Sequence, residues 1–110
     1  MDILLCCEHF YPSVGGVQKM MHEIAIRFIK NGHKVTIATS WRKDRINNTI
    51  DGIKIKSFHI KGNLVSTIKG DVHAYQEFLI NSKFDFLIVM AAQQWTFDAM
   101  LPILDNITYK

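Results

Sequence analysis

The chain has 110 residues, 48% apolar and 21% charged, with 2 prolines and 6 glycines. That balance fits one folded core and excludes a disordered tail, a collagenous repeat and a low-complexity linker. With 13 basic against 10 acidic side chains the net charge is +3, too small an excess to point to nucleic acid but compatible with an anionic ligand or a membrane surface.

Residues 2–7 (DILLCC) form a short apolar run of the kind expected of a strand buried on both faces. The run is too short to cross a membrane, and it lacks the basic start of a secretory signal, so the expectation is a cytoplasmic chain. Cys6 and Cys7 are adjacent and would point to opposite faces of such a strand, which suits two reduced core fillers and not a disulfide. Only Glu8 and His9 follow them, and that spacing matches no zinc pattern, so no metal site is expected.

Turn residues come next, Tyr11-Pro12-Ser13-Val14-Gly15-Gly16. Val17, Met21, Ile24, Ala25, Phe28 and Ile29 then recur at helical spacing, and Asn31-Gly32 supplies a stop. A second strand is expected at 34–39 (KVTIAT), which completes a βαβ unit. Trp41 to Asn48 reads as a polar, basic loop. Thr49-Ile50-Asp51-Gly52-Ile53-Lys54 carries Asp-Gly between apolar residues, the signal for a tight hairpin, followed by a strand over 53–58. Lys54 and Lys56 on that strand suit a sheet edge.

A helix is expected over 71–81, capped by Asp71, with Val72, Tyr75, Phe78 and Leu79 as its apolar stripe. Residues 85–90 (DFLIVM) repeat the character of the first strand. The apolar segment Phe97 to Ile107 holds Pro102, which predicts a kink or two short helical pieces. The whole reads as one α/β domain over 1–110, a Rossmann-like three-layer sandwich with a mostly parallel sheet of about four strands in the order 3-2-1-4. The fourth strand would keep one side unpaired.

In open parallel sheets ligands bind at the carboxyl ends of the strands, where the strand order reverses. That places the loops Glu8 to Gly16 and Ala91 to Asp98 at the crevice. Gly15 and Gly16 precede a helix, where bare backbone and free N–H groups would accept a diphosphate, or would merely turn the chain. Neither G-x-G-x-x-G nor G-x-x-x-x-G-K-[ST] is present, which argues against a dinucleotide dehydrogenase and an NTPase. Glu8 and His9 either meet an acceptor or only tie the loop. Gln93, Gln94 and Trp95 offer amides and an indole to a sugar, or serve as a loop anchor and a core aromatic. Trp41, Arg42, Lys43 and Arg45 form either a peripheral membrane contact or a solvated loop.

The string Glu8-His9-Phe10-Tyr11-Pro12-Ser13-Val14-Gly15-Gly16-Val17-Gln18, then His22-Glu23-Ile24-Ala25 and Asn31-Gly32-His33-Lys34-Val35, resembles the opening of glycosyltransferase family 4. Asp51-Gly52-Ile53-Lys54-Ile55 and Phe84-Asp85-Phe86-Leu87-Ile88-Val89 are similar to two further strands of that family. The resemblance implies the incomplete N-terminal, acceptor-side half of a GT-B fold, with the donor-binding domain outside this chain. It implies transfer of a sugar from a nucleotide-sugar donor to a sugar or lipid-linked acceptor, with retention, without an obligatory metal, at the cytoplasmic face. Gly15 and Gly16 would approach the donor's diphosphate and sugar. Where family members carry a histidine segment after the fourth strand, this chain has Met90-Ala91-Ala92-Gln93-Gln94-Trp95, so no catalytic residue is assigned. Alone, the chain is expected to be inactive. The alternative is a stand-alone Rossmann-like module that binds an anionic small molecule without chemistry; nucleic acid is not an expected partner.

Overall fold

A computed structural model describes residues 1–12, 15–63, 67–90 and 94–109. The first apolar run forms β1 (Asp2–Cys6), and the amphipathic segment after the glycines forms α1 (Gly16–Lys30). Then come β2 (Lys34–Ser40), a hairpin of β3 (Thr49–Ile50) and β4 (Ile53–Phe58), and a ribbon of β5 (Ile60–Lys61) and β6 (Lys69–Gly70). The chain continues through α2 (Val72–Asn81), β7 (Phe86–Val89), the single turn α3 (Trp95–Asp98) and a 3₁₀ helix, Leu101–Asn106.

The fold is α/β around a mostly parallel sheet of order β3-β4-β2-β1-β7, in which only β3 runs antiparallel. The four parallel strands follow the expected order, and the sheet gains β3 at one edge. The Asp51-Gly52 turn places both residues at positive φ (51° and 83°), as a tight two-residue hairpin demands. β4 is therefore not a bare edge: β3 pairs with its start, and the Ile55 N–H donates to the Asn48 carbonyl at 2.8 Å.

Alternation along β1 sorts two cores. Ile3, Leu5 and Cys7 face Met21 and Ala25 of α1 together with Val35, Ile37, Ile53 and Ile55. Leu4 and Cys6 face Tyr75 and Leu79 of α2 together with Ala38, Phe58, Trp95 and Met100. Cys6 and Cys7 are both free and buried, on opposite faces. Burial in apolar surroundings is the main cause that pushes each thiol up to about 12.

Three expectations need correction. β7 is not buried on both faces: Phe86 and Ile88 are 40% and 39% exposed, because α1 lies over the other strands of that face and β7 pairs only with β1. Asp71 occupies the cap position of α2, but its carboxylate makes no capping hydrogen bond. The ribbon β5–β6 appears where no strand was expected. The final segment does form two short helical pieces, with the break at Ala99-Met100 and Pro102 in the first turn of the second.

Candidate functional site

The parallel register brings the ends of β1, β2 and β7 to one level, pairing Cys6 with Ala38 and with Val89. Glu8 lies just past this edge, and its main chain is fixed from two sides. Its carbonyl accepts from the Ser40 N–H and the Thr39 hydroxyl, each at 3.0 Å, and its N–H donates to Gln94 Oε1 at 3.2 Å. The loops after β1 and β7 therefore meet, as the strand order predicts for this crevice. The Glu8 side chain is mostly covered, with Oε2 3.0 Å from Nε2 of the exposed His9.

A groove of about 580 Å³ opens beside Glu8 and His9. Its floor is Phe58 and Ile60, and its walls include Trp41, Arg42, His59, Lys61 and Lys69. The Trp41 indole stacks on the His59 ring, with centroids 4.6 Å apart and planes 24° from parallel. Arg42 is engaged in a two-pronged pair with Asp44, at 2.8 and 2.9 Å, which holds the Asp44 carboxyl below its usual range. A larger hollow of about 880 Å³ lies at the opposite end of the sheet, between the starts of β2 and β4 and the end of α2. The smaller groove is the stronger candidate, because it sits at the carboxyl edge of the strands, where open parallel sheets bind their ligands.

Gly15 and Gly16 stand at the amino end of α1, outside the lining of that groove. Gly15 is extended (φ 173°), a conformation open to any residue. A Cβ there would come within 2.7 Å only of the flexible Gln18 side-chain end. Gly16 is exposed, and a Cβ on it would meet nothing within 4 Å, so the backbone here is open to approach from outside.

Of the other expected site residues, Gln94 is the loop anchor already described, and Gln93 lies outside the described residues. Trp95 is fully buried. Its ring packs edge-on against Tyr75, and its Nε1–H donates to Ser40 Oγ at 2.7 Å, which fits the core-aromatic reading and leaves no ring face for a sugar. In the basic loop, Trp41 and Lys43 are exposed, whereas Arg45 turns inward. Its guanidinium donates to the carbonyls of Tyr11 and Ser40 at 2.9 Å, of Phe10 at 3.3 Å, and to Ser57 Oγ at 3.2 Å. Sequence reasoning missed this clamp, and it missed His59, Lys61 and Lys69. Lone cations in loops carry no periodic signal, so only the tertiary arrangement shows their roles.

No family model matches the chain. Over 61 residues, 54% of its length, the chain is 33% identical to the phosphatidylinositol N-acetylglucosaminyltransferase GPI3 subunit of Saccharomyces cerevisiae, with the same figures for strains YJM789, RM11-1a and ATCC 204508 / S288c. The matched stretch amounts to 13% of that subunit. The likeness is thus to a small part of a glycosyltransferase subunit. No helix among the described residues is long and apolar enough to cross a membrane.

Proposed function

We propose that this chain forms the acceptor side of a nucleotide-sugar glycosyltransferase of the GT-B type. The observation that carries the reading is the groove at the carboxyl edge of the parallel strands, with Glu8 and His9 in its lining and the Glu8 main chain tied to Gln94 of the loop after β7. The amino end of α1, where Gly16 is exposed, suits a donor's diphosphate. Glu8 and His9 suit the hydroxyls of an acceptor. Gln94 serves this site by holding Glu8, and Trp95 by anchoring the loop from beneath.

The likeness to a phosphatidylinositol N-acetylglucosaminyltransferase subunit supports a lipid-linked acceptor. On this reading the acceptor is presented at the cytoplasmic membrane face, with the exposed Trp41 and Lys43 nearest the lipid. On this reading transfer proceeds with retention and without an obligatory metal, and the donor's nucleotide is held by a second domain. The test is sugar transfer by a protein that carries this segment together with a donor-binding domain, assayed with UDP-N-acetylglucosamine and other nucleotide-sugars and with phosphatidylinositol as acceptor. Transfer is expected there and absent from the 110-residue chain. Absence of both transfer and donor hydrolysis across the panel counts against the reading, and turnover by the chain alone overturns its division of labour.

A further inference from the structure

The ribbon β5–β6 sets Lys61 directly opposite Lys69, and both side chains line the groove beside Glu8. Like charges at directly opposed positions repel, and a ribbon of two-residue strands has little pairing of its own to offset that. The ribbon is nevertheless built tightly. Gly62 and Gly70 take positive φ (92° and 120°), and a Cβ on either would fall within about 2 Å of a backbone carbonyl oxygen, Thr67 and His59 respectively. Ser40 Oγ donates to the Ile60 carbonyl at 3.2 Å, and the Asp71 N–H donates to the His59 carbonyl at 2.9 Å, which pins the ribbon to β2 and to α2. Among the described residues, neither ammonium is paired with a carboxylate.

The groove's chemistry is ordered along the sheet edge. Glu8 follows β1, Trp41 follows its neighbour β2, and His59 with the lysine ribbon follows β4, the next neighbour. A carboxylate, an aromatic face and a pair of cations therefore succeed one another across one hollow of about 580 Å³. We propose that this groove binds the phosphate ester of a hydroxylated ring, with the phosphate between Lys61 and Lys69, the ring against Trp41 and its hydroxyls toward Glu8 and His9. The anion relieves the repulsion that the opposed lysines create, and the stacked His59 stiffens the indole platform. The proposal rests on the acceptor-side reading for its place in a reaction, but binding itself does not.

The experiment titrates the 110-residue chain with myo-inositol 1-phosphate, with myo-inositol and with inorganic phosphate, followed by NMR at the ribbon amides and the Trp41 indole. Parallel arms use phosphatidylcholine vesicles with and without phosphatidylinositol, which separates a free phosphate ester from a lipid headgroup. The ring phosphate is expected to shift both sets of signals, and the double variant Lys61→Gln with Lys69→Gln to bind about a hundredfold more weakly, since hydrogen bonds to charged groups contribute on the order of a tenfold each. Lys61→Arg with Lys69→Arg keeps the charge and is expected to keep binding. Amide spectra of each variant establish that it is folded. Lysine-dependent binding of the soluble ester, of the phosphatidylinositol vesicles or of both supports the proposal. Absence of binding to either, or binding that the glutamine variant leaves unchanged, overturns it. In a transferring protein that carries this segment, the glutamine variant is expected to raise the acceptor KM and spare kcat. An unaltered KM sinks this inference and leaves the transferase reading standing, whereas lysine-dependent binding without transfer does the reverse.

Discussion

The Glu8 N–H donates to Gln94 Oε1 at 3.2 Å, across 86 positions of sequence. This one bond joins the loop after the first strand to the loop after the last, and so sets the width of the crevice between them. Gln94→Ala removes the acceptor and leaves the half-buried Glu8 N–H to water. The expected loss of stability is about 1 kcal/mol, the usual net value of one such hydrogen bond. Urea unfolding reads the loss, and the Glu8 amide should exchange its hydrogen faster. A variant with unchanged stability and exchange would show that the two loops are held apart by other contacts.

Arg45 does for the outer side of the same loop what Gln94 does for the inner side. One planar guanidinium meets the carbonyls of Phe10, Tyr11 and Ser40 and the Ser57 hydroxyl, a fork that a lysine ammonium cannot copy. Partial burial draws its pKa below the ordinary arginine value, yet the group remains far into its charged range. Arg45→Ala is expected to cost about 2 kcal/mol, the scale of hydrogen bonds made by a charged donor. Arg45→Lys should recover less than half of that. Limited proteolysis should cut the variants near Tyr11 while the parent chain resists; equal resistance would remove Arg45 from any part in ordering the loop.

Three of the parallel strands, β1, β2 and β7, were legible as short, largely apolar runs, β4 followed from the Asp51-Gly52 turn before it, and the hairpin was legible because that pair is what such a turn requires. The site was legible in outline for the same reason, since strand order alone sends Glu8 and Gln94 to one crevice. What could not be read were features made by contact. Trp41 and Trp95 each follow a strand, and nothing local distinguishes them. Trp95 finds Tyr75, Phe58 and Ser40 from three distant elements and is buried, whereas the exposed Trp41 ring stacks on His59. The exposed face of β7 was hidden too, because Phe86-Leu87-Ile88-Val89 is apolar at every position and shows no alternation. Two-residue strands such as β5 and β6 are too short for any period.

Cys6 and Cys7 sit back to back in the two cores, and burial raises both from an ordinary value of 9.0 to about 12. The thiolate is the reactive form, so the folded chain should resist a disulfide reagent near pH ~8. Both thiols should react at once in denaturant. Because the folded values lie above the unfolded ones, the stability contributed by the protonated thiols is complete below about pH 9 and is lost as pH rises toward 12. Unfolding in urea at stepped alkaline pH checks that sign. Rapid labelling of the folded chain would mean that one of the cores opens readily.

Thr96 carries the one buried side-chain polar atom without a partner among the described residues, its Oγ1. Its main-chain carbonyl is well served, accepting from the Tyr75 hydroxyl at 2.6 Å, and that bond does not depend on the side chain. The hydroxyl therefore bears a desolvation cost and returns no hydrogen bond. Thr96→Val keeps the branched shape and deletes the polar atom, so a gain of about 1 kcal/mol is expected, since an unsatisfied buried group costs at least that much. Thr96→Ser keeps the hydroxyl and loses a methyl group, which should destabilise the chain. Urea midpoints that move in opposite directions at constant slope would confirm the assignment. A destabilised valine variant would mean that the hydroxyl has found a partner in solution, and the loop that presents Gln94 to Glu8 would then be held by one more bond than the geometry shows.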